Sequence, residues 1–369
     1  MNIPFRTYHL KEFFERWDGQ NPLDLSLYHF FKERRALGSK DRKAITTAVY
    51  DIIKWKRLID FPDENISMDE RIERYLDGHF RKQEEVTGAV KVSLPDFLWD
   101  SLVKTYGEEK ALEIGEVLNT RAPLTLRVNT LKTTREVLLR NLRPQFAVAP
   151  TKQSPWGIHV LEGAKVRQLP EYERGLFEIQ DEGSQLLAEK IEIKPGELFL
   201  DYCAGSGGKS LAVAMQMEGK GQLFLHDIRQ KSLAEAKERL ARAGVQNYQF
   251  LNKKHKKGID WVLVDAPCSG TGTLRRSPEM KWKLTEQSIK NFVQLQREVI
   301  AEAIEFTKPG GHFVYATCSL LTEENEEQME HILATYPVKL VSQLKILPEE
   351  DGPDGFFLAH FTTPLTSKK

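Results

Sequence analysis

Residues 197–227 read ELFLDYCAGSGGKSLAVAMQMEGKGQLFLHD. The stretch opens with a short apolar strand, ELFLDY, and breaks at the glycine-rich CAGSGGKS. It continues as an apolar helix, SLAVAMQM, and closes with a second strand, GQLFLH, that runs into Asp227. Strand, glycine turn, helix and strand in that order make the repeating unit of a parallel α/β sheet. The alternation persists on both sides. Upstream, the helix SQLLAEKIEI stops at Lys194-Pro195-Gly196. Downstream come the helix KSLAEAKERLARAG with Gly244 as its stop, a third strand YQFLN, and a fourth, Trp261–Val264, ending on Asp265. The long helix SIKNFVQLQREVIAEAIEFT leads to a fifth strand, HFVYAT, and GFFLAHF is expected as an edge strand. The fold class is therefore α/β.

The chain before this region reads differently. Residues 1–90 are expected to form a helical region. LGSKDRKAITTAVYDIIKWKRLI has Ser39 as its expected N-cap, Asp41 in the first turn and apolar residues at helical spacing. From Asp60 to Glu85 the acidic, polar composition predicts a mobile connection. Residues 91–183 are expected to hold two more helices, broken at Gly107, and a small α+β portion. In that portion LTLRVNT, WGIHVLEG and LFEIQ alternate apolar and polar residues. Residues 184–369 then form the α/β domain.

Composition bounds the function. The chain has 369 residues, 40% hydrophobic and 29% charged, with zero formal net charge. Net charge thus gives no sign of a nucleic-acid partner, but its distribution does. Nine Lys or Arg stand against three acids between Lys32 and Arg57. Such a cluster, with Arg34, Arg35, Lys40, Arg42 and Lys43, either neutralises phosphates or is the solvated side of helices. No apolar run of ~18 residues is present, so no membrane-spanning helix is expected. MNIPFRTYHLKEFFERW is charged throughout and lacks the apolar core of a signal peptide. Three well-spaced cysteines, 203, 268 and 318, predict neither a disulfide framework nor a metal site and fit a reducing cytoplasm.

Chemistry is expected beyond the carboxyl ends of the strands, where open α/β sheets bind ligands. Gly205, Gly207 and Gly208 let a ligand approach the backbone. Asp227, at the end of the next strand, is placed to accept both ribose hydroxyls of an adenosine cofactor, and Asn252 to meet an adenine edge. The loop alone leaves a dinucleotide and S-adenosylmethionine both open. The fourth strand ends in DAPCSGTG and the fifth in TCS. If these strands are neighbours, Cys268 and Cys318 share one cleft. Lys209 is either a source of positive field for a thiolate there or a solvent-facing lysine at a helix start. Arg275 and Arg276 follow the Cys268 loop and are expected against a phosphate backbone, and the KKHKK run from Lys253 to Lys257 is expected to be a solvated loop.

Between about Arg127 and Phe361 the motifs LRVNT, IQDEGSQL, DYCAGSGGKS, DAPCSGTGTLRRSPEMKW and YATCSLLTEEN resemble those of the RNA cytosine-5 methyltransferases of the Nop/Sun type. These include bacterial ribosomal RNA enzymes. FFKERRALGSKDRKAITTAVYDIIKWKRLID resembles, in shortened form, the NusB-like RNA-binding region of some members. The resemblance implies a class I methyltransferase (Rossmann-like) mixed sheet, with S-adenosylmethionine as cofactor. It implies RNA as partner, ribosomal ahead of transfer RNA, and it includes no metal. A monomer is expected. By the same resemblance Cys318 is the nucleophile that adds to carbon 6 of cytosine. Asp265 holds ring nitrogen 3 and protonates it, and Cys268 assists loss of the carbon 5 proton and product release. The cofactor is expected against Cys203, Ala204, Gly205, Ser206, Gly207, Gly208, Lys209, Asp227, Asn252, Asp265 and Pro267, with Cys203 packing beneath it. Two departures stand out. Gly205-Ser206 replaces the family's Ala-Pro, which predicts a more mobile loop, and Asn252 replaces an acid. A catalytically idle RNA-binding assembly factor is the alternative from another class.

Overall fold

The computed structural model describes residues 3–63, 66–82, 86–161, 165–251 and 258–365. The chain divides into two compact units, Met1–Arg121 with Thr273–Glu286, and Ala122–Gly272 with Gln287–Lys369. The division departs from the breaks expected at 90 and 183.

The first unit is helical. Helices Ile3–Arg16, Leu23–Glu33 and Ser39–Lys54 place Leu10, Phe13, Leu27, Phe30, Ile45, Val49 and Ile52 at three- and four-residue spacings, and these side chains close into one core. The Ser39–Lys54 helix takes Gly38 as its N-cap, not Ser39, and no side-chain cap bond forms. The stretch expected to be a mobile connection holds a helix, Met68–Asp77, capped by Ser67, whose side chain accepts from the N–H of Glu70 at 3.2 Å. Its Arg71 pairs in bidentate fashion with buried Asp60, at 2.6 and 2.8 Å. Acidic composition there supplies internal ion pairs. Helices Asp96–Tyr106 and Glu108–Val117 meet at Gly107, and both belong to this unit.

The segment that follows the Cys268 loop is also built into the helical unit. Leu274, Pro278 and Leu284 are buried there. Trp282 donates its ring N–H to the carbonyl of Ile53 at 2.8 Å, and the N–H of Leu23 donates to Glu279 at 3.3 Å. Lys281, fully buried, donates to Asn119 Oδ1 and to the carbonyl of Lys54. Burial, then the neighbouring Lys54, lowers the Lys281 ammonium to about 7, and burial lowers Lys54 to about 8.

The second unit carries two sheets. The smaller comprises β1 (Leu124–Val128), β2 (Val148–Pro150), β3 (Gly157–Val160) and β4 (Phe177–Ile179), all antiparallel, in the order β2-β3-β1-β4. Helix Arg135–Leu142 buries Leu138, Leu139 and Leu142 in the same core as Leu126 and Ile158. The larger comprises β5 (Leu198–Asp201), β6 (Gln222–Leu225), β7 (Tyr248–Phe250), β8 (Ile259–Asp265), β9 (Thr307–Thr317), β10 (Lys339–Ile346) and β11 (Phe356–Thr362). Its order is β10-β11-β9-β8-β5-β6-β7. From β9 to β7 the strands are parallel, and β11 runs antiparallel to both β9 and β10. Side-chain alternation sends Phe199, Leu225, Leu263 and Val314 to one face, with Leu211 and Leu240 from helices Gly208–Gln216 and Gln230–Ala243. Leu200, Phe224, Val264 and Tyr315 go to the other, with Ile300 of helix Glu286–Ile304. Strands buried on both faces give the continuous apolar runs seen in the sequence.

The expected edge strand is interior. β11 is buried from Phe356 to Phe361 because β10 covers its outer side, and β10 is itself largely exposed. KLVSQLKI lacks a strong apolar run, which is why the true edge escaped the sequence reading.

Candidate active site

Local chain geometry makes the site. At the end of β5 the loop turns with Gly205 at φ +53° and Gly207 at φ +78°, conformations that glycine adopts without penalty. A β-carbon on Gly205 would meet only the tip of Arg229 at 3.8 Å, so open space lies before the loop. The N–H of Gly205 donates to Asp227 at 2.8 Å. Arg229 donates to the same carboxylate from its backbone N–H and from Nε and Nη2, at 2.8, 3.0 and 3.1 Å. Burial raises the Asp227 carboxyl, but these donors outweigh it and the pKa is lowered. Beside it Ile228 leaves its apolar side chain 84% exposed. Asn252 and the Lys253–Lys257 run lie outside the described residues.

Ser206 is tied to a neighbouring side chain in this turn. Arg239 donates through Nη1 to both the carbonyl and the hydroxyl of Ser206, each at 2.8 Å, and pairs with Glu178 of β4 at 3.1 Å. Arg242 holds the other oxygen of Glu178 at 2.6 Å. Anchoring from the small sheet thus takes the place of the fixed φ that proline would supply. Arg127 of β1, also buried, donates to the carbonyl of Gly208 at 2.7 Å and to Gln180 Oε1. Asn129 donates to the carbonyls of Gly175 and Ala243 at 2.8 and 2.9 Å. The LRVNT and IQDEGSQL motifs therefore brace the glycine loop and the helix behind it.

β8 and β9 are parallel neighbours, with Asp265 opposite Ala316. The loops that leave them bring Cys268 Sγ within 3.5 Å of Cys318 Sγ. The hydrogen bond with Cys318, then burial, push the Cys268 thiol well above its ordinary value. Lys209 is buried and donates to Asp265 Oδ2 at 2.6 Å. Burial works against its charge, but Asp265, Cys318 and Asp201 outweigh it and keep the ammonium. The solvent-facing reading of Lys209 is thereby corrected. Cys203 lies part-buried against the core, its thiol raised by burial. Asp201, also buried, is raised to about 7 by burial and bonded by the hydroxyl of Ser210 at 2.7 Å. Gly272 closes this loop against Gly355, whose carbonyl oxygen would lie 2.3 Å from any added β-carbon.

The sequence model of a family described as 16S rRNA methyltransferase RsmB/F matches residues 188–362. A second, described as the RsmF/B-like ferredoxin-like domain, matches residues 94–167. Ribosomal RNA small subunit methyltransferase B of Photorhabdus laumondii is 32% identical over 284 residues, covering 73% of this chain and 66% of that protein. The probable enzyme of that name from Synechocystis is 30% identical over 308 residues, covering 75% and 68%. The chain belongs to the RsmB/F family. It spans about two thirds of the length of these curated relatives. Among solved structures, a methyltransferase homolog of Pyrococcus horikoshii gives a TM-score of 0.66 at 27% identity, covering 74% of this chain and 97% of that one. The structure of PH0851 gives a TM-score of 0.80 at 23% identity, covering 98% and 99%, and shares the fold.

The RsmB/F match leaves the expected RNA contacts to be located individually. Arg35, Lys40 and Lys43 are exposed. Arg34 is tied to Glu12 through Nε at 2.8 Å and to Glu33 at 3.0 Å, and its hydrogen bonds are the first cause that holds Glu12 down to about 2. Arg42 donates to the carbonyl of Leu37 at 2.8 Å. Arg275 is 2% exposed within the helical unit, whereas Arg276 is exposed. Arg275 is thus corrected from an RNA contact to a buried side chain, and Arg34 and Arg42 direct donors into their own unit. No helix among the described residues is long and apolar enough to cross a membrane. Among them, no cluster of three or more His, Cys, Asp or Glu could hold a metal.

Proposed function

We propose that this chain transfers a methyl group from S-adenosylmethionine to carbon 5 of a cytosine in RNA, with ribosomal RNA in the cytoplasm as substrate. The observation that carries the reading is the Cys268–Cys318 pair at 3.5 Å beside the Lys209–Asp265 ion pair, beyond the carboxyl ends of adjacent strands. The family, and relatives named for small-subunit ribosomal RNA, favour that substrate.

The glycine loop fits the cofactor. Gly205 leaves its backbone approachable, Asp227 offers a ribose acceptor once Arg229 yields, and exposed Ile228 offers an apolar face for adenine. Bound S-adenosylmethionine supplies the electrophilic methyl group. Carbon 5 of cytosine is too weak a nucleophile to accept it unaided, so covalent activation is required. Lys209 favours the thiolate of Cys318, which adds to carbon 6. The Lys209–Asp265 pair holds ring nitrogen 3 and delivers a proton there, leaving carbon 5 enamine-like. After methylation Cys268 assists removal of the carbon 5 proton, the Cys318–carbon 6 bond breaks to free the thiolate, and ring nitrogen 3 returns its proton to the Lys209–Asp265 pair, which restores the neutral ring. The base must leave its stack to meet both sulfurs, so an unpaired or flipped cytosine is the target.

A denaturing gel with ribosomal RNA and S-adenosylmethionine tests this. Cys268→Ala should methylate and stall, giving a nuclease-sensitive shifted band. Cys318→Ala and the double variant should give no band and no 5-methylcytosine by bisulfite mapping. An adduct on Cys318→Ala alone would exchange the roles, and full activity in both variants would reject the covalent mechanism.

A further inference from the structure

We propose that Glu324 is a positioning residue that fixes the separation of Cys268 and Cys318 by accepting hydrogen bonds from the residue that follows each cysteine. The proposal rests on the catalytic reading of the two thiols given above.

Glu324 ends the short turn Thr322–Glu324 and is fully buried. One carboxylate oxygen accepts from the N–H of Ser269 at 2.8 Å and from Gln296 Nε2 at 3.0 Å. The other accepts from the hydroxyls of Ser269 and Ser319, each at 2.5 Å. Ser269 directly follows Cys268 and Ser319 directly follows Cys318, so one rigid group spans both loops. Thr271 reinforces the span. Its hydroxyl lies 3.1 Å from that of Ser319 and accepts from the N–H of Leu320 at 2.8 Å. Gln296 also donates to the carbonyl of Pro267 at 3.1 Å, one residue before Cys268.

A buried carboxylate is costly unless its lone pairs are met, and here every identified donor comes from the Cys268 loop, the Cys318 loop or Gln296. Carbons 5 and 6 of cytosine are bonded neighbours, so the sulfurs that serve them must themselves stay close. Loss of the strut lets the loops part, and then one sulfur loses its carbon. The same carboxylate adds a negative field at Cys268, one of the causes that raise its thiol.

The test uses the full chain without RNA and then with it. Diamide, a diazene that accepts two electrons and two protons from a thiol pair, should close a Cys268–Cys318 disulfide in the wild type. Glu324→Ala should close it about tenfold more slowly and lower kcat by about a hundredfold, the scale of an ångström misplacement. Cofactor affinity by calorimetry should stay unchanged, because none of these residues belongs to the glycine loop. Glu324→Gln should recover most of both rates, since its amide still accepts from the Ser269 N–H and both serine hydroxyls can turn to accept from it. Should Glu324→Ala fail to fold, the Ser269→Ala/Ser319→Ala double variant should give the same slowing. Wild-type closure and turnover in Glu324→Ala or in the double variant would overturn the strut, as would a Gln variant no better than Ala. A wild type that closes the disulfide but never methylates RNA would instead reject the catalytic reading and leave the disulfide comparison to decide the strut.

Discussion

At the scale of single residues, Asp227 and Arg229 compete for one role. The Asp227 carboxylate is filled by Gly205 and by three donors of Arg229, whose own side chain is mostly exposed. On the proposed reading a ribose diol displaces the exposed arginine. Asp227→Ala should therefore weaken S-adenosylmethionine binding by more than tenfold, since charge-assisted hydrogen bonds contribute ~1.5–3 kcal/mol each. Arg229→Ala should leave affinity unchanged or tighter. Calorimetry reads both, and a strong loss in Arg229→Ala would make that arginine a ligand. Lys281 carries a different test. Its ammonium is lowered from 10.5 to about 7 by burial and Lys54. Below pH 7 both folded and unfolded chains are protonated there, and the full cost of burying the charge applies. Between pH 7 and 10.5 the unfolded chain alone holds the proton, so stability rises with pH. Lys281→Met should raise stability relative to wild type most below pH 7, and the difference should shrink towards pH 10. Urea midpoints across that range would show it, and a pH-independent difference would contradict the buried-lysine account.

At the scale of elements, the turn between β5 and helix Gly208–Gln216 joins sequence to chemistry. Gly205 needs its positive φ and has open space where a side chain would go. Gly205→Ala should thus cost about 1–2 kcal/mol from backbone strain alone, lowering the thermal midpoint and weakening the cofactor together. Arg239 should matter for the same element. It is the bond from Ser206 to the small sheet, so Arg239→Ala should reduce cofactor affinity even though it bonds Ser206 and Glu178 rather than Asp227. Unaltered binding in that variant would mean the loop holds its shape unaided.

On the scale of the whole molecule, the segment Thr273–Glu286 changes what a truncation does. Its Trp282, Glu279 and Lys281 bond to Ile53, Leu23, Lys54 and Asn119. Removing residues 1–90 would strand Trp282, Glu279 and Lys281 by taking away Ile53, Leu23 and Lys54. That deletion should give insoluble protein, or a product rapidly cut by protease within 273–286. A soluble, protease-resistant fragment that binds cofactor would refute this. For RNA, Arg35, Lys40 and Lys43 to Gln should lower affinity and flatten its dependence on salt, as expected when phosphate contacts are lost. An unchanged slope would leave the cluster as a solvated face.

The sequence by itself determined the α/β alternation and the thiols and carboxylates at the strand ends, and the structure made β8 and β9 neighbours. The first two follow from local rules: strands buried on both faces are continuously apolar, glycines mark tight turns, and ligand groups lie at strand ends. Tertiary structure alone decided the rest, because it depends on partners far apart in the chain. It placed Arg275 and Lys281 in the helical unit rather than at a surface, and it showed KLVSQLKI covering β11. It also gave Ser206 an anchor in Arg239, and it set Glu324 against the serines beside both cysteines. A charged residue in sequence carries no mark of whether water or a buried partner will meet it. Packing supplies that answer, and here it separates exposed Lys40 and Lys43 from buried Lys209 and Lys281.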